Sequence, residues 1–348
     1  MAQQLGLGLH TFGDVTVDAG GNPLTHAQVI RNIMDEAVLA DEVGAAFFGV
    51  GEHHRADFAV SAPEVVLSAI AARTAQIHLG SAVTVLSSDD PVRVFERFST
   101  VDAVSKGRAE VILGRGSFTE SFPLFGYDLA DYSKLFEEKI QLFAELLKAG
   151  PVTWSGTTRA SVTGQAVYPP IESGSLTTWV GVGGSPESVV RAAQYGMPLM
   201  LAIIGGEPMR FAGYVDLYKR ALTEFERAEL PVAAHSPGHI AATDELARDE
   251  LWPHYQKMND RIGRERGWPP MTRPRFEQEV AHGALFVGSP ATVAEKIVKT
   301  AKGLGLARFD LKYANGTMPH EQLMTSIELF GREVAPLVHE QMKSTGNL

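Results

Sequence analysis

Ala45-Ala46-Phe47-Phe48-Gly49-Val50, running on into Gly51-Glu52-His53-His54, decides the fold. The first six residues have no polar face, so this strand is covered on both sides, as strands of a parallel sheet are and half-exposed antiparallel strands are not. A helical pattern over residues 25–43 leads into it and another over 63–75 follows, which makes strand–helix units rather than a hairpin. The same alternation spreads outward. Strands are expected at 5–10, 77–86, 109–113, 178–182 and 197–203, with helices at 92–105 and 132–147 between them. Repeated βα order implies a parallel sheet wrapped in helices, and 348 residues suit one (β/α)8 TIM barrel.

The carboxyl-terminal third is less regular and is expected to carry an excursion from the barrel. Polar-faced helices are expected over 208–229 and 243–266, with a strand at 239–242. A proline-rich span (Pro269, Pro270, Pro274) then leads into 280–287, expected to close over a site. A helix from Ser289-Pro290 to Gly303, a strand over 309–313 and a closing helix over 322–343 finish the pattern. With no repeat, linker or low-complexity run, residues 1–348 are expected to form one domain.

Composition narrows the function. A net charge of -10 with no basic run argues against a nucleic-acid partner, since neutralising a phosphate backbone takes clustered Lys and Arg. Zero cysteines leave no disulfide framework, thiolate nucleophile or thiolate metal site. Met1 passes into Leu5-Gly6-Leu7-Gly8-Leu9 without a basic region or cleavage signal, and no apolar run is long enough to span a membrane. A reducing, cytoplasmic setting is the expectation.

Three motifs can carry chemistry. Glu52-His53-His54 follows a strand, where barrel enzymes keep their reacting groups. On an extended segment Glu52 and His54 share one side and His53 takes the other. The two histidines lack the i, i+4 spacing of helical metal ligands, and no metal is expected. His53 is then either a polar plug of the barrel mouth or a general acid or base. Gly114-Arg115-Gly116-Ser117 follows the strand at 109–113 and offers a guanidinium to an anion, or to a carboxylate on the next loop. Gly181-Val182-Gly183-Gly184-Ser185-Pro186-Glu187-Ser188 turns from strand to helix. Its amides and helix dipole make an anion site or simply a capped turn. Gly288-Ser289-Pro290 repeats that chemistry and is taken as a helix cap.

In order, Gly49 to His54, Leu79-Gly80-Ser81-Ala82-Val83-Thr84-Val85-Leu86, Pro91-Val92-Arg93, Ser105-Lys106-Gly107-Arg108, Gly114-Arg115-Gly116 and Gly183 to Ser188 leading into Arg191-Ala192-Ala193 resemble the bacterial luciferase-like flavin monooxygenases. Gly288-Ser289-Pro290 with Val293-Ala294-Glu295-Lys296 resembles the family's late helix start; residues 208–282 carry little of its signal. The resemblance implies flavin mononucleotide (FMN) at the carboxyl ends of the strands, its phosphate held by Arg115 and by Gly183, Gly184 and Ser185. It also implies a non-proline cis peptide at Ala82-Val83 beneath the flavin ring, and a catalytic role for His53, with His10 and Phe12 near the ring or substrate.

The implied activity is oxidation of a small organic substrate by oxygen, using reduced FMN from a separate reductase, in a water-poor pocket shaped by residues 208–280. Deazaflavin-dependent dehydrogenation and non-catalytic flavin binding are the alternatives that the resemblance allows. It further implies a homodimer packed through a helix over 62–77, along Ala69, Ala71, Ala72 and Ala75. Three positions depart from luciferase: Gly114 stands for a reactive cysteine, Gly184 for a glutamate and Asp90 for a histidine. Light emission is therefore not expected.

Overall fold

The computed structural model describes residues 4–344. Parallel strands β1 (Gly6–Thr11), β2 (Phe47–Val50), β3 (His78–Ser81), β4 (Ala109–Gly114), β5 (Thr177–Val182), β6 (Leu199–Ala202), β7 (Val232–Ile240) and β8 (Arg308–Lys312) pair in sequence order. The ring closes where β8 meets β1, with Gly6 opposite Arg308 and His10 opposite Lys312. This is the expected closed barrel, and its strands all point their carboxyl ends at one rim.

Around it lie α1 (His26–Glu42), α2 (Pro63–Ala71), α3 (Pro91–Ser105), α4 (Tyr132–Leu146), α5 (Pro186–Gln194), α6 (Ala212–Glu224), α7 (Asp244–Arg266), α8 (Arg273–Ala281), α9 (Pro290–Leu304) and α10 (His320–Leu329). Pro63, Pro91, Pro186 and Pro290 each occupy a first helical position, where the missing N–H costs nothing. Asp90, one of the departures noted above, caps α3: its carboxylate accepts from the amide of Val92 at 2.9 Å. None of the described helices is long and apolar enough to cross a membrane.

Outward-facing Leu7, Leu9, Phe48 and Val50 join the helices in one apolar layer. The inside of the barrel holds a smaller apolar group, Phe47, Ala82, Ile112, Trp179, Met200 and Ala233. Beside that group the interior is charged, and glycines make the room. A Cβ on Gly8 would lie 2.2 Å from Oδ1 of Asp310, and one on Gly49 would lie 2.8 Å from Cδ2 of His10.

Four expectations need correction. The strand expected at 239–242 is β7, which begins at Val232; His235, Ser236 and Gly238 hide it because their side chains are polar or absent, and Pro237 because proline lacks the N–H of a ladder donor. The helix expected over 208–229 is a 3-10 turn, Pro208–Phe211, followed by α6, which ends at Glu224. The helix expected over 62–77 ends at Ala71. Oxygens of Asp41 then take the amides of Ala75, Gln76 and Ile77 at 2.7, 3.0 and 2.7 Å and draw the chain into β3, so Ala69, Ala71, Ala72 and Ala75 form no continuous face. Residues 280–287 do not cover a site: Phe286–Gly288 is a short strand on the outer half of β7, and part of the proline-rich span folds as α8, capped by Thr272.

The closing helix is interrupted by a π-turn at Phe330–Val334. Its anchor is Glu36 of α1, which accepts from the hydroxyl of Tyr313 at 2.5 Å and lies 2.9 Å from Nδ1 of His320. That carboxylate contact raises the His320 pKa above its ordinary value. A raised folded-state pKa contributes stability that is complete below the unfolded value of about 6.5 and is lost as pH rises through the folded value. Urea midpoints are accordingly expected to fall over that interval in the native chain, and less steeply in His320→Gln.

Candidate active site

The carboxyl ends of the strands surround a cavity of about 460 Å³. His53, Ala82, Val83, Arg115, Gly183, Gly184 and Ser185 all line it, as do His10 and Phe12. Residues far apart in the chain are thus brought to one place by strand ends that share a rim.

After β2, the extended chain alternates as its sequence requires. Glu52 and His54 share a side, with Oε1 of Glu52 2.9 Å from Nε2 of His54, while Oε2 accepts from the amide of Val85 at 2.8 Å. His53 faces the other way, into aromatic rings: its imidazole stacks on Phe58 at 4.2 Å and sits 5.2 Å from Phe12 and 5.5 Å from Phe118. Burial, with Lys312, His54 and Arg55 nearby, pushes its pKa down to about 3. Cage and cations both oppose a charged ring. His53 stays neutral and can donate or accept a hydrogen bond.

Arg115 has no hydrogen bond or ion pair among the described residues; its guanidinium lies 5.2 Å from the ring of Tyr132, whose hydroxyl donates to the carbonyl of Gly116 at 2.7 Å. Facing the same cavity is the start of α5. Gly184 has φ +143, a left-handed conformation suited to glycine, and the amides of Gly184 and Ser185 donate to no acceptor among the described residues. The hydroxyl of Ser185 donates to Oε2 of exposed Glu187 at 2.7 Å, so an incoming anion would have to displace that carboxylate. The matching start of α9 is filled from within the protein: Oδ1 of Asp244 takes the amide of Ser289 at 2.7 Å.

The peptide between Ala82 and Val83 is cis, as the resemblance implied. Val83 fits against Gly114, where an added Cβ would lie 2.4 Å from Cγ2 of Val83. The missing side chain at Gly114 and the branched one at Val83 are thus two halves of a single packing solution.

Sequence motifs did not mark His235, which lines the cavity from the middle of β7, its ring 5.1 Å from that of His10. Burial, His10 and Lys312 push its pKa well below the ordinary value. Nor did they mark the rim. The end of α7 reaches it: Arg266 donates to the carbonyl of Ser117 at 3.1 Å, Arg55 pairs with Asp57, Glu120 and Glu265, and Arg261 pairs with Asp57. The guanidiniums of Arg55 and Arg266 lie 4.5 and 5.0 Å from the ring of Phe118. The described residues contain no cluster of three or more side chains able to hold a metal ion.

Residues 10–308 match the model of the luciferase-like monooxygenases, and the chain belongs to that family. It is 23% identical to an alkanal monooxygenase alpha chain of Photorhabdus laumondii subsp. laumondii over 96% of this chain and 99% of that one. It is 30% identical to an uncharacterized protein y4wF of Sinorhizobium fredii, but spans only about half (52%) of that relative. Among solved structures, monooxygenase RslO1 of Streptomyces bottropensis superposes with a TM-score of 0.82 at 21% identity, over 95% of this chain and 99% of that one. The oxygenating constituent of 3,6-diketocamphane monooxygenase from Pseudomonas putida, in complex with FMN, gives 0.76 at 18% identity over 96% and 98%. An F420-dependent secondary alcohol dehydrogenase holding an F420-acetone adduct gives 0.74 at 14% identity over 96% and 99%. These likenesses establish a shared fold, and the family makes the chain an oxidoreductase.

Substituting Gly114 by alanine is expected to lower unfolding stability by about 1–3 kcal/mol, the usual cost of overpacking a filled core. Adding Val83→Ala is expected to restore part of that loss in a double-mutant cycle; strictly additive effects would show that the two side chains do not compete.

Proposed function

We propose that the chain is a flavin-dependent monooxygenase that takes reduced FMN from a separate reductase and uses molecular oxygen to oxidise a small organic substrate. The observation that carries this reading is the unpaired guanidinium of Arg115 lining the same cavity as the unengaged amides of Gly184 and Ser185. A phosphate fits such a set, because it offers oxygens to a planar cation and to a helix start together. Arg115, Gly183, Gly184 and Ser185 would hold the phosphate, with Ser185 exchanging its contact to Glu187. Ala82 and Val83 would lie under the ring. Reduced flavin supplies the electrons with which oxygen is activated.

In this reading His53 contacts cofactor or substrate as a neutral hydrogen-bonding group, and its aromatic cage keeps water away from the reacting centre. The rim formed by Phe118 and the end of α7 would shape the substrate entrance. The protein is proposed to work in the cytoplasm as a homodimer; of the expected interface, exposed Val65, half-buried Ala69 and, past the end of α2, exposed Ala72 and Ala75 are available for contact.

Titration with FMN, oxidised and anaerobically reduced, tests the cofactor. Arg115→Ala is expected to weaken FMN roughly 10- to 100-fold, the effect of losing charge-assisted hydrogen bonds of about 1.5–3 kcal/mol, while riboflavin, which has no phosphate, is bound equally by both forms. Preference for a deazaflavin over FMN would instead support hydride transfer. FMN binding without any turnover linked to oxygen or hydride transfer would support a binding protein.

A further inference from the structure

A column of charged groups runs through the barrel from its amino-terminal floor to the cavity. Nδ1 of half-exposed His78 lies 3.2 Å from Oε1 of Glu110, and Oε2 of Glu110 accepts from Nη1 of Arg308 at 2.7 Å. Nε of Arg308 then lies 3.1 Å from Oδ2 of Asp310, and that oxygen lies 2.9 Å from Nε2 of His10. Glu110, Arg308, Asp310 and His10 are all buried.

Burial works against ionisation of Glu110, yet Arg308 and His78 hold its carboxyl well below the ordinary range. At the cavity end of the column Asp310 lies between Arg308 and His10. Lys312 is engaged elsewhere, its Nζ 3.1 Å from Oδ2 of Asp14. Neighbouring His235 is held neutral.

We infer that His10 is a proton acceptor for the hydroxyl of an enol or phenol substrate bound at the cavity floor, with Asp310, backed by Arg308, as its positioning residue. This rests on the ligand cavity being used as described under the proposed function. A carboxylate behind an imidazole keeps the neutral ring's proton on the nitrogen facing it and stabilises the cation formed when the other nitrogen is protonated. Nε2 of His10 faces Asp310; Nδ1 is buried without a partner, on a ring that lines the cavity. In the step, the ligand's O–H bond breaks, the proton goes to Nδ1 and the electron pair stays on oxygen. The imidazolium so formed lies against Asp310, and the oxyanion enriches the adjoining carbon for attack on an oxidant. His53, with its depressed basicity, cannot hold that proton. The His10–Asp310 and Asp310–Arg308 contacts are within reach but not aligned as hydrogen bonds, a common state before a ligand arrives.

p-Nitrophenol is the probe, since only its phenolate is yellow. Below the pH at which the free phenol ionises, the wild-type protein is expected to bind it and develop the phenolate band. His10→Gln is expected to lose the band, and Asp310→Asn to reduce it about tenfold or more, the effect of removing the carboxyl group beside the imidazole. Should Asp310→Asn fail to unfold cooperatively in urea, Glu110→Gln, remote from the cavity, is the variant read in its place, with the same direction. A phenol that binds colourless, a band unchanged in His10→Gln, or no binding at high phenol concentration overturns the inference. FMN titration of the wild type separates the two claims. A band without FMN binding sinks the flavin reading alone, and FMN binding without a band sinks the role of His10 alone.

Discussion

Closure of a parallel ring is the constraint on which everything else depends. When Gly6 pairs with Arg308 and His10 with Lys312, the first and last strands become neighbours and every strand end opens on one rim. His10, His53, Val83, Arg115, Ser185 and His235, spread over two thirds of the chain, then line one cavity without any loop having to reach for another. Position on the rim is set by backbone hydrogen bonds of the wall, so the site inherits the rigidity of the barrel and leaves loops free to vary.

Inside the ring, volume has been exchanged for charge. Gly8 and Gly49 leave room for Asp310 and His10, where larger side chains would have filled the interior with hydrocarbon. Burying Glu110, Arg308 and Asp310 removes three charges from water, and a well-packed apolar core generally does at least as well for stability. The column is therefore better understood through what it does at its upper end than as a fold-stabilising device. It places Asp310 behind one imidazole, while the same cavity keeps His53 and His235 neutral by burial and nearby cations.

The alternation of apolar strands and amphipathic helices made the first two thirds of the fold legible, because covered strands such as Phe47–Val50 announce themselves by having no polar side. β7 was not legible for the opposite reason: His235 lines the polar cavity and Ser236, Pro237 and Gly238 follow it, so this stretch carries no apolar signature. Arg308-Phe309-Asp310-Leu311-Lys312 did hold a signal, strict alternation of charged and apolar residues, but the sequence does not say that the charged side faces inward. Motifs brought Arg115 and Gly183 to Ser185 to notice because anion chemistry is local. The His10–Asp310 contact joins residues about three hundred positions apart and exists only once the ring has closed. The depressed pKa of His53 was hidden too, since Phe12, Phe58 and Phe118 come from three different loops.

A crystal of the protein grown with FMN tests the central claim most directly. The account predicts phosphate density between the guanidinium of Arg115 and the amides of Gly184 and Ser185, with Glu187 turned away and the ring over Ala82-Val83. Phosphate bound elsewhere, or Arg115 folded onto a carboxylate with the cofactor absent from the cavity, would contradict it.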